Sequence, residues 1–190
     1  MKTFERWALR TTLSLLLLLW LSTTAMPLVK VKAVSQNQAA NQGLAESPIR
    51  LMIPSISVNA AIQYVGVDDK KEMETPTNST DVGWFDLGVL PGKKGSAVID
   101  GHFDDQSGEA GVFFNLYKLK PGDKVYLTDS SGQTLAFAVR ESRLYDPGNA
   151  DFLFSRNDSS HLNLITCDGV WDGTKKSYSK RLVVFTDKIN

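Results

Sequence analysis

Three side-chain types that together can transfer an acyl group stand at the ends of apolar runs in this chain. The thiol is Cys167, the only cysteine, in Leu164-Ile165-Thr166-Cys167-Asp168-Gly169. A thiol is a strong nucleophile once it is ionised or given a base. The imidazole is His102, in Asp100-Gly101-His102-Phe103-Asp104, just past a predicted strand. The second histidine, His161, lies at the far end of the strand that carries Cys167, roughly 20 Å away in extended chain, so it reads as a surface residue and a poor partner. The guanidinium is Arg181, at the start of the next apolar run. A developing oxyanion needs positive charge or N–H donors, and Arg181 supplies them if its strand neighbours that of Cys167. Residue types alone leave Cys167 as a buried bystander, half of an intermolecular bridge, or a nucleophile.

The elements that must position these groups are short strands with turn punctuation. Strands are predicted at 49–53, at 58–64 with period-two alternation, and at 96–100 after the turn Pro91-Gly92-Lys93-Lys94-Gly95. Residues 124–128 and 134–140 flank Asp129-Ser130-Ser131-Gly132, a hairpin signal. The last two strands are predicted at 162–166 and 181–186. Val183-Val184-Phe185 forms a continuous apolar run, as in a strand buried on both faces. Apolar spacing over 112–119 predicts a short helix or 3₁₀ turn, and 168–179 reads as a polar loop carrying Trp171 and Tyr178. These two line a groove or cap a barrel edge. Seven or eight short strands with one or two short helices predict a mainly β fold, a closed or nearly closed barrel.

The chain of 190 residues is 42% hydrophobic, enough for one domain with a real core plus an extension. Lysine plus arginine balances aspartate plus glutamate at 21 each. No basic run stands out beyond the N-terminus, which argues against a nucleic-acid partner. Lys2, Arg6 and Arg10 precede an apolar stretch that runs from Leu13 to about Val29. At about 17 residues it reaches the lower limit of a membrane span, with positive charge on the cytoplasmic side. Residues 1–34 therefore read as a signal anchor, or as a signal peptide ending near Val31-Lys32-Ala33. Residues 35–47 read as a polar stalk and 48–190 as the folded domain, working outside the cytoplasmic membrane. A lone cysteine in an exported chain closes no internal disulfide.

Asn163-Leu164-Ile165-Thr166-Cys167 resembles the TLxTC signature of sortases, the cell-surface cysteine transpeptidases. Lys180-Arg181-Leu182-Val183-Val184-Phe185, Gly101-His102, Gly111-Val112-Phe113-Phe114-Asn115-Leu116 and Leu119-Lys120-Pro121-Gly122-Asp123 are similar to sortase segments in the same order. The resemblance covers roughly 48–188. Gly83-Trp84-Phe85, Pro91-Gly92, Gly95-Ser96-Ala97-Val98 and His102-Phe103-Asp104 look like the F-like subgroup. Two positions depart from the pattern. Asn163 replaces the usual threonine, and Ser179 stands where some F-like members have the arginine. Positions 179 and 181 share a face of an extended strand, whereas Lys180 points the other way.

The resemblance implies a compact β-barrel that cleaves an LPXTG-like sorting signal through a thioester on Cys167. His102 would act as general acid and Arg181 would support the oxyanion. Thr166, Asp168, Gly169, Trp171 and Tyr178 would bind substrate, with backbone N–H groups of Asp168-Gly169 as oxyanion donors. An amine of a cell-wall precursor or a surface protein would resolve the thioester. No metal or cofactor is implied, and Asp104, Asp105 and Glu109 read as a solvated acidic loop. No lid-like segment precedes Pro48, which points away from a pilus-building enzyme. A hydrolytic relative and a non-catalytic binding module on the same barrel remain as alternatives. An L,D-transpeptidase fits less well, because its histidine and cysteine lie much closer in sequence.

Overall fold

The computed structural model describes residues 46–148 and 150–190. The proposed anchor and nearly all of the stalk lie outside them. Eight strands close a barrel: β1 (Pro48–Ile53), β2 (Val58–Val65), β3 (Val82–Phe85), β4 (Gly95–Gly101), β5 (Lys124–Asp129), β6 (Thr134–Tyr145), β7 (Ser160–Asp172) and β8 (Ser177–Ile189). The order around the barrel is β1-β2-β3-β4-β7-β8-β6-β5. The pairs β2/β3 and β4/β7 are parallel and the others antiparallel. The helical content of the described residues is three 3₁₀ turns, one of them at Leu116–Lys118.

Alternation explains the strands that face water. In β5 the pattern runs exposed, buried, half-buried, buried, which sends Val125 and Leu127 inward. The β5/β6 hairpin closes because Asp129 Oδ1 accepts the N–H groups of Ser131 and Gln133, while Gly132 takes a positive φ of 84°. β4 and the middle of β8 are buried on both faces. Their inner residues, Ala97, Ile99, Leu182 and Val184, join the barrel core with Leu51, Phe113, Phe137 and Leu164. Their outer residues, Val98, Val183 and Phe185, meet a second cluster under Leu153, Met73 and Phe152. Each fully buried Leu or Phe contributes about 1.5–3 kcal/mol.

Three expectations change. β3 is absent from the sequence reading. The segment 168–179 is mostly strand, because β7 and β8 continue as a two-stranded ribbon to Asp172 and Ser177. His161 is not a surface residue: it is 2% exposed, held by hydrogen bonds to Asp187, Asp158 and Ser159.

Candidate active site

Parallel pairing of β4 and β7 carries two strands to the same rim of the barrel. The ladder pairs Ile99 with Leu164 and Asp100 with Ile165. Continued by two residues, that register sets His102 level with Cys167. The Thr166 hydroxyl locks the arrangement by donating to the Gly101 carbonyl at 2.7 Å. Thr166 is 4% exposed, so it braces the two strand ends and lies outside the groove lining. The His102 carbonyl accepts the Phe113 N–H at 2.9 Å, and Phe113 packs so close that a Cβ on Gly101 would lie 2.6 Å from its ring.

Arg181 is the direct cross-strand partner of Cys167, which puts their Cβ atoms about 5 Å apart on one face. Its Nη1 donates to the carbonyls of Tyr178 and Lys180, and Nη2 to Ser177 Oγ. These bonds fix the guanidinium and leave further N–H donors for a ligand. The Ser179 hydroxyl accepts the Val170 N–H, so the arginine in register is Arg181.

The ribbon beyond Cys167 is shaped by a bulge. Asp168 pairs with Lys180 and Trp171 with Tyr178, so Gly169 and Val170 together oppose Ser179. Gly169 has a φ of 87°, the left-handed first position of a glycine bulge. Its N–H is committed to Asp168 Oδ1 at 2.5 Å and is not offered to the groove. The extra residue sets Trp171 opposite Tyr178, with ring centroids 5.2 Å apart.

A groove of 1150 Å³ opens here. Cys167, His102, Trp171 and Tyr178 line it, with Thr75 to Ser79 on one wall and Phe103 to Gly108 on the other. Asp168 and Gly169 lie outside the lining. Of the acidic loop, Asp105 is spent on its own turn, accepting from Ser107 and Glu109 N–H groups. Asp104 instead accepts the Tyr178 hydroxyl, and that bond, with burial, pushes the phenol up to about 12. His102 Nε2 lies 2.8 Å from the Pro76 carbonyl. A carbonyl only accepts, so Nε2 carries the proton and Nδ1 is the free base of the neutral ring.

Cys167 is a half-buried free thiol. Burial pushes it above the usual thiol value; Arg181 pulls it down, while Asp104 and Asp100 push it up. The Arg181 guanidinium therefore favours the ionised thiol, against burial and the two carboxylates. Among the described residues no cluster of potential metal ligands occurs. Sequence reasoning missed Asp100, the Asp104–Tyr178 bond and the Pro76 carbonyl. Of these, only Asp100 left a trace, as an acid at the end of an apolar strand next to Gly101-His102.

The sortase domain matches residues 51–189. The chain belongs to the sortase family. Its closed barrel is the sortase fold. Sortase C-1 of Actinomyces oris is 30% identical with a TM-score of 0.58, covering 82% of each chain. Sortase C2 of pilus island 1 from group B Streptococcus is 25% identical with a TM-score of 0.60, covering 77% of this chain and 76% of that one. A lid mutant of sortase A from Corynebacterium diphtheriae is 25% identical, also with a TM-score of 0.60, covering 75% and 70%. No match is found among curated proteins. Sortases are cysteine transpeptidases.

Proposed function

We propose that this sortase cleaves an LPXTG-like sorting signal through a thioester on Cys167 and transfers the acyl group to an amine of the cell wall. The observation that carries the reading is the β4/β7 register, which brings His102 level with Cys167 on one groove while Arg181 faces the thiol from β8. Proton transfer from Cys167 to His102 Nδ1 generates the thiolate. Sγ attacks the Thr–Gly carbonyl, and Arg181 supports the oxyanion. His102 returns the proton to the leaving amine as the C–N bond breaks. The acceptor amine then attacks the thioester, loses its proton to His102, and releases Cys167. Trp171 and Tyr178 form the aromatic wall along which the peptide or acceptor lies. Asp168 and Gly169 hold the bulge that aims that wall.

The basic and apolar N-terminus supports a signal anchor with the barrel on the outer side of the membrane. The Gly83-Trp84-Phe85 and His102-Phe103-Asp104 contexts support placement near the F-like sortases. A peptide-library cleavage assay with mass-spectrometric detection of the acyl group on Cys167 tests the mechanism. Cys167→Ala is expected to abolish cleavage while the domain stays folded; unchanged cleavage overturns the proposal. Ligated product on adding an amine separates transfer from hydrolysis.

A further inference from the structure

One half-buried aspartate near the thiol, with its Oδ1 enclosed, has no part in this scheme. Asp100 lies on the outer face of β4, opposite Gly83 on β3 and Ile165 on β7. Its Oδ1 is shut off from solvent with no hydrogen-bond partner, an environment that penalises a charge heavily. The absence of a side chain makes the room: a Cβ on Gly83 would lie 2.5 Å from Oδ1, with Val65 methyls closing the same gap. Around it stand Gly83 from β3, Val65 from β2 and Ile165 from β7, with the Cys167 thiol two residues further along β7. Burial pushes the carboxyl up to about 8, and its own backbone N–H is the group pulling the other way. Asp100 in turn pushes the Cys167 thiol up, against Arg181.

We propose that Asp100 is a positioning residue for the nucleophile: its unpartnered carboxyl lies on the same outer face as Cys167, two residues short of it in the β4/β7 ladder, and must stay uncharged for Cys167 to work as a thiolate. The inference deepens the reading of Cys167 as nucleophile and rests on it. With Asp100 neutral, Arg181 stabilises the thiolate with Asp104 as the only opposing charge. Once Asp100 ionises, a second anion joins on β4 and the thiol holds its proton to higher pH. A bound peptide that displaces water strengthens the coupling, because the effective dielectric falls.

The test is alkylation of Cys167 by iodoacetamide across the pH range, in the native chain and in Asp100→Asn. This readout needs no sorting peptide, so it stays interpretable if the proposed substrate is wrong. The two rates are expected to agree below about pH 7, whereas near pH 9 the variant should react several-fold faster, approaching the ~10-fold that one pKa unit of coupling gives. A ratio that does not change with pH overturns the proposal. If Asp100→Asn does not fold, carbon-13 NMR of the aspartate carboxyls in the native chain decides. A carboxyl titrating near the value above supports it, and Asp100 titrating with ordinary carboxylates overturns it.

Discussion

The outer face of β7 carries chemistry at both ends, and the two ends handle a histidine in opposite ways. At the start of the strand, both ring nitrogens of His161 are committed, to Asp187 at 2.6 Å and to Asp158 at 2.9 Å. Arg140 and Arg156 complete a network with the same two carboxylates. The cavity beside it, 230 Å³, is lined by Arg140, Arg143 and Arg156, each paired with an acid. At the other end, His102 has one nitrogen on a backbone carbonyl and the other available. Cys167 beside it is a half-buried free thiol, and the groove there is about five times larger. A saturated histidine holds a structure together; an unsaturated one with a thiol across the ladder can move a proton. Charge separates the ends further, since Asp187 is matched by cations while the enclosed Oδ1 of Asp100 has no hydrogen-bond partner.

The sharpest way to break this contrast is His102→Ala. Peptide cleavage should fall by about 10²–10⁴-fold in kcat/KM with thermal stability unchanged; a loss of stability instead would make the two histidines alike. His161→Ala should do the reverse. It strips Asp187 and Asp158 of a shared donor and should cost about 1–3 kcal/mol in urea unfolding, with activity per folded molecule preserved.

The two ends should also respond to pH with opposite sign. Burial pushes Asp187 up, but hydrogen bonds from His161 and Arg140 outweigh it and hold the carboxyl low; Arg156 and His161 hold Asp158 low as well. Stability from these groups is present above the unfolded carboxylate value of about 3.9 and is lost as pH falls through their folded values. Asp100 is raised to about 8. The folded chain therefore keeps a proton that the unfolded chain has released, and stability declines as pH rises from about 4 towards that value. Denaturation curves should show Asp100→Asn gaining on the native chain over that interval, and Asp187→Asn less stable than the native chain above about pH 4, with the deficit closing only in acid. The smallest effect is expected between the ends. Asn163 donates to the Leu153 carbonyl at 2.6 Å and pins the 3₁₀ turn Asp151–Phe154 over the outer cluster. Asn163→Ala should cost about 1 kcal/mol and leave the alkylation rate of Cys167 unchanged.

The sequence is most legible where a residue's job is set by its own strand. The barrel strands with clean alternation stand close to their expected positions, and Cys167 and His102 meet on one groove, with Arg181 opposite Cys167 in the ladder, because each ends or begins such a run. Legibility fails where the partner comes from elsewhere. β3 is four residues with Gly83 inside it and turn residues on either side, so no period shows. The ribbon past Cys167 projects beyond the barrel, and its polar residues give no buried face to reveal a strand. His161 looks like a turn residue until β8 supplies Asp187. Asp100 looks like an ordinary strand end until Gly83 is seen to leave space for it.

The brace between Thr166 and Gly101 spans 65 positions of sequence. Contacts that distant are slow to form, because loop-closure entropy must be met before they reward the chain. During synthesis β7 can dock on β4 only after β5 and β6 have been made. Until then the growing chain has its imidazole but no thiol, and afterwards the two meet only through a late, non-local step. Truncation before β7 should therefore leave the imidazole without its strand partner, and refolding of the whole chain should be paced by this long-range pairing.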